Sequence, residues 1–196
     1  MAVLSATAFV RGRAARWIAA AGIAWSALLL VSPAIAQPEA TREYQIKAVF
    51  LFNFAQFVDW PPAAFSDPQA PLIIGVLGDD PFGSFLDQTV RGEKVNARPL
   101  VVRRYRAVAE VDTCHILFIC GSEAGRLENI LASLKGRSVL TVGDMDGFAQ
   151  RGGMIRFATE NNRIRLRVNL AAAKAAQLTL SSKLLRPADI VEPGKD

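Results

Sequence analysis

The chain has 196 residues, 51% of them hydrophobic, with 23 Lys and Arg against 18 Asp and Glu, a formal net charge of +5. Much of that charge is local: Arg11, Arg13 and Arg16 sit in an N-terminal stretch without an acid, and setting them aside leaves 20 basic residues against 18, a net of +2. So slight an excess removes the main electrostatic argument for nucleic-acid binding. A single histidine likewise leaves a histidine-based metal site nothing to assemble from.

The three arginines are followed by an apolar run, Trp17 to Val31, a helix-breaking Ser32-Pro33 and the small-x-small Ala34-Ile35-Ala36. That is the layout of a cleaved secretory signal. Residues 1–36 are expected to be removed, leaving 37–196 as one exported domain, with no membrane insertion after cleavage.

Thr41 to Asp59 reads as the first helix, with Thr41 as N-cap and Glu43 in the first turn. Trp60-Pro61-Pro62 stops it. It carries two apolar stripes: Tyr44, Ala48, Leu51, Ala55 and Val58, and beside them Ile46, Phe50, Phe54 and Phe57. A helix packed on a sheet needs only one. The second implies either deep burial or an aromatic face offered to a partner, with Phe50, Phe54, Phe57 and Trp60 as the contact candidates.

Leu72 to Leu77 (LIIGVL) reads as a buried strand, and Asp80-Pro81 opens a helix from Pro81 to about Arg91. Pro99 to Tyr105 is a strand ending in the basic cluster Arg103, Arg104 and Arg106. The uncharged run Cys114 to Cys120 (CHILFIC) suits a strand buried on both faces and is taken as the centre of the sheet. Both cysteines and the only histidine, His115, lie in it. Six residues of strand hold Cys114 and Cys120 about 20 Å apart, far beyond disulfide reach. They are therefore expected to be buried thiols rather than a mutual bridge.

Glu123 to Lys135 has helical periodicity, Ser138 to Val142 is a further buried strand, and Gly143 to Gly153 is a loop or short helix. Met154 to Thr159 and Arg163 to Val168 form a hairpin around Glu160-Asn161-Asn162. In its second strand Ile164, Leu166 and Val168 point inward, which leaves Arg163, Arg165 and Arg167 in a row on the other face. Leu170 to Leu180 is an alanine-rich helix, Ser181 to Ile190 a closing segment, and the tail after Pro193 is expected to be disordered. The sum is a single-domain layered α/β sandwich, its mixed sheet parallel at the centre, antiparallel at the C-terminal hairpin and flanked by helices.

No catalytic constellation emerges, and neither a metal nor a cofactor is expected. There is no Gly-x-Ser-x-Gly elbow. The loop Gly75 to Gly83 lacks the glycine spacing of a dinucleotide site and the Gly-Lys of a phosphate loop. Aligned as a calcium loop, Asp144-Met145-Asp146-Gly147 leaves Val142 and Gly153 at the two essential carboxylate positions.

Several pieces in this order resemble the YfiR-like family of periplasmic regulatory proteins, over roughly Glu43 to Ile190. They are KAVFLFNFAQFVDWP (Lys47 to Pro61), IIGVLGDDPFG (Ile73 to Gly83), CHILFI (Cys114 to Ile119), SVLTVGD (Ser138 to Asp144), FAQRGGMIRF (Phe148 to Phe157) and RIRLRVNLAAAKAAQLTLSSKLL (Arg163 to Leu185). The resemblance implies a non-catalytic regulator, often a homodimer. It would restrain a membrane-bound partner, a diguanylate cyclase or a sensor kinase, through that partner's periplasmic domain. Redox control and an outer-membrane partner are implied as well. The family prototype is known for disulfides, whereas Cys114 and Cys120 fall in one strand here. The alternative is a periplasmic binder of an anionic metabolite, with Arg165, Arg167, Asn169 and Lys183 lining a pocket between the hairpin and the last helix.

Overall fold

The computed structural model describes residues 39–192 and Gly194. The expected signal segment and most of the tail beyond Pro193 lie outside those residues. The first helix, α1 (Glu39–Phe57), is followed by a two-residue strand β1 (Val58–Asp59). Then come β2 (Leu72–Leu77), α2 (Ser84–Val90), β3 (Lys94–Val95) and β4 (Arg98–Tyr105). β5 (Ile116–Ile119), α3 (Leu127–Ser133), β6 (Leu140–Gly143), β7 (Ile155–Glu160) and β8 (Arg163–Val168) follow. The chain closes with α4 (Leu170–Ala175), β9 (Thr179–Leu180), α5 (Ser182–Leu185) and β10 (Ala188–Ile190).

Eight strands form one sheet in the order β10-β8-β7-β6-β5-β2-β4-β3, while β1 and β9 pair separately. β2, β4, β5, β6 and β7 run parallel, β8 is antiparallel to β7, and β10 returns parallel to β8. The sheet is the layered, mixed one expected from the sequence. Side chains alternate across it. Leu72, Ile74 and Val76 of β2, with Ile116 and Phe118 of β5, face a core closed by α1, α2, α4 and α5. Leu77, Leu117 and Ile119 face a second core under α3, capped by Phe148.

Several element bounds differ from the sequence reading, each for a local reason. α1 ends at Phe57 because Val58 and Asp59 gain strand partners in Leu180 and Thr179. α2 starts at Ser84 because the Asp80 carboxylate accepts the Phe82 N–H (2.7 Å), making a turn of the residues expected to begin the helix. β5 is four residues long: the Cys114 thiol turns back onto the Ile116 carbonyl (3.0 Å), although ladder bonds continue from the His115 N–H to Ile73 O and from the Cys120 N–H to Leu77 O. Between β5 and α3 the expected helix begins as a 3-10 turn, Gly121–Arg126, with Arg126 bound to the buried Glu123 carboxylate (2.8 Å). α4 stops five residues early in a Schellman ending: Gln177 adopts φ +60°, its N–H bonds to Lys174 O, and the Leu178 N–H bonds to Ala173 O.

The hairpin forms where expected. Asn161 and Asn162 at φ +50° and +59° make the two-residue turn that suits twisted strands.

Candidate interaction surface

The five parallel strands, numbered among themselves, lie in the order 2-1-3-4-5, so the chain reverses direction beside β2 and β5. Open sheets of this kind bind ligands in the crevice that such a reversal opens. Here the crevice is filled by the protein. The Ser122 hydroxyl accepts the Asp79 N–H (3.0 Å), and a Cβ on Gly78 would collide with Ser122 and crowd the Glu123 carboxylate.

One face of α1 is locked inside. Ala48, Leu51, Phe54 and Ala55 are buried, as is Val58 of β1 just beyond them, and Phe157 of β7 draws the second aromatic stripe inward: Phe50 and Phe54 both lie 5.8 Å from its ring, with Phe54 stacked on it. Phe54 is 1% exposed and so has no surface to offer a partner. Phe50 and Phe57 are half-buried against the same core. Trp60 is half-buried too, and its indole N–H donates to His115 O (3.2 Å).

The helix is pinned in register by an ion cluster that the sequence reading missed. Lys47 is 2% exposed, and its ammonium lies 2.6 Å from both Glu43 Oε1 and Asp144 Oδ2 and 4.3 Å from the Tyr44 ring centre. The Tyr44 hydroxyl donates to Asp144 (2.9 Å), and Thr159 donates to Glu43 (2.9 Å). Burial, followed by the Asp144 charge, holds the Tyr44 pKa well above its ordinary value. A buried charge of this kind is tolerated only when fully paired. The cavity beside it, 410 Å³, is lined by charges that already have partners, including Arg156 on Asp146. The signal was present in the sequence: Lys47 interrupts an apolar run four residues after Glu43, on the inward side of the helix.

What remains outward on α1 is Ile46 and Val49, one turn apart and 44% and 47% exposed. Beside them a groove of 380 Å³ runs to the hairpin tip, lined by Arg42, Glu43, Ile46, Phe50, Asn162, Arg163 and Ile164. No carboxylate among the described residues pairs with Arg163, while Glu43 is engaged by Lys47. The result is an apolar centre with an arginine rim, the composition typical of protein contact surfaces.

The other candidates separate. Arg165 and Arg167 lie on the opposite face of the sheet from the larger core, where Arg167 sits across from Arg156 and pairs with Glu160 (2.8 Å). Asn169 is buried and engaged twice, accepting the Ala172 N–H and donating to Ala149 O (both 2.9 Å). It is the N-cap of α4 rather than a ligand contact. Lys183 is exposed on α5. Cys114 and Cys120 are free and buried. Burial pushes each thiol up to about 12, with surrounding carboxylates adding to the shift at Cys120, so neither is a ready thiolate.

The class so defined is a mixed-sheet α/β sandwich with its thiols and histidine inside and an apolar, arginine-rimmed helix face outside. The sequence model of the YfiR/HmsC-like family matches residues 44–189, and the chain belongs to that family, which is regulatory rather than catalytic and periplasmic. No curated protein matches the chain.

Proposed function

We propose that this chain is a periplasmic regulator in cyclic-di-GMP signalling. In this reading it binds the periplasmic domain of a membrane-bound signalling protein, a diguanylate cyclase first of all, and restrains it. Family membership supplies the signalling context. The observation that carries the contact mechanism is the exposed Ile46–Val49 pair on a helix fixed in place by the Lys47 cluster. A rigid apolar anchor loses little entropy on docking, which favours binding. The homodimeric state is part of the same reading.

The test is to reconstitute the chain with a membrane-bound diguanylate cyclase that carries a periplasmic domain and to measure cyclic-di-GMP. The wild-type chain lowers the output. Ile46→Asp with Val49→Asp weakens binding about 30-fold, the effect of losing an anchor worth about 2 kcal/mol. Its own stability changes little, because both residues are largely outside the core. Undiminished restraint by the double variant would remove α1 from the mechanism, and absence of any binding would remove the cyclase.

A further inference from the structure

At the opposite end of the sheet from the Lys47 cluster, where β6 and β7 begin, a cavity of 340 Å³ opens between the end of α3 and α4. Its volume is within the range of small-ligand sites. The floor is aliphatic: Leu134, Val139, Met154 and Ala176 are buried, and Leu131 and Ala172 half-buried. The mouth carries Lys135 and Arg137, and no acidic residue lines any part of it. The Arg137 guanidinium is oriented by its hydrogen bond to the Asp112 carbonyl (2.7 Å), while the Asp112 carboxylate is turned to Arg103 (3.3 Å). No carboxylate among the described residues forms an ion pair with Lys135 or Arg137, and both residues line the apolar hollow.

That pairing selects the chemistry of an occupant. An aliphatic body displaces water from the floor, and an anionic head meets a fixed guanidinium and an ammonium, where charge-assisted hydrogen bonds are strongest. A neutral amphiphile gains only the first of these terms, and a small hydrophilic anion only the second. We propose that this cavity binds a small amphipathic carboxylate, its apolar body against Leu134, Val139 and Met154 and its carboxylate between Lys135 and Arg137. The site shares no residue with the α1 groove and stands independently of the regulator reading.

Isothermal titration of the full chain with sodium octanoate, butyrate and 1-octanol tests this. Octanoate is expected to bind at one saturable site, at least ten-fold tighter than either butyrate or 1-octanol. Lys135→Gln with Arg137→Gln weakens octanoate at least ten-fold, and Ala172→Phe, which fills the hollow, abolishes it. Both variants are checked for cooperative melting, and the charge variant, altered at the rim alone, decides the matter if the filled one fails to fold. Ile46→Asp with Val49→Asp leaves octanoate binding unchanged. Absence of saturable octanoate binding overturns the site, as does 1-octanol binding as tightly as octanoate, or full octanoate affinity in the charge variant.

Discussion

Both ring nitrogens of His115 are engaged: Nδ1 accepts the Ile73 N–H (3.0 Å), so Nε2 carries the proton and donates it to Ala64 O (3.1 Å). Phe65 stacks on the ring at 4.4 Å, and Trp60 stands edge-on at 6.2 Å. The only histidine is thus a clamp that holds the 60–71 loop to the start of β2. Burial pushes its pKa below the ordinary 6.5 and the Arg98 charge pushes it further, against the Ala64 hydrogen bond. A second proton on Nδ1 would face the Ile73 N–H, so the folded chain keeps the ring neutral. The unfolded chain takes up that proton first, and the clamp's contribution is complete above pH 6.5 and declines as pH falls below it. Urea denaturation at pH 7.5, 6 and 5 should show this decline, and His115→Phe should reduce its slope. The sequence reading placed His115 in the core from its apolar neighbours. It could not see the clamp, since the partners Ala64 and Trp60 lie more than fifty positions away.

At the scale of elements, legibility tracked hydrophobic runs. β2 was read to the residue because all six of its residues are buried, and the Asn161-Asn162 turn was found because asparagine tolerates the left-handed region. The ending of α4 escaped because its left-handed position is Gln177 and not the expected glycine. A glutamine there is strained, so Gln177→Gly should stabilise the chain by about 0.5 to 1 kcal/mol, read as a higher denaturation midpoint at unchanged slope. The candidate surface was half legible. The sequence identified α1 as carrying surplus apolar residues, but only the sheet decides which of them face water. Phe157, a hundred positions on, claims Phe54 and leaves Ile46 and Val49 outside.

For the whole molecule, the two cores lie on opposite faces of one sheet, and each holds one cysteine: Cys120 in the larger and Cys114 in the smaller. Gly75 makes room for the second, since a Cβ there would lie 2.8 Å from the Cys114 sulfur. Neither thiol can be reached without opening a core. Both should be silent to an aromatic disulfide reagent in native buffer and react together when the chain unfolds in urea. A thiol reacting alone at low urea would show that one core opens independently.

The small β1–β9 ladder joins residue 58 to residue 180, and the Ser181 N–H closes onto Phe57 O at 2.9 Å. Such a stitch cannot form until nearly the whole polypeptide is available, and contacts of that sequence span slow the search for the native state. The chain therefore remains unfinished through most of its synthesis.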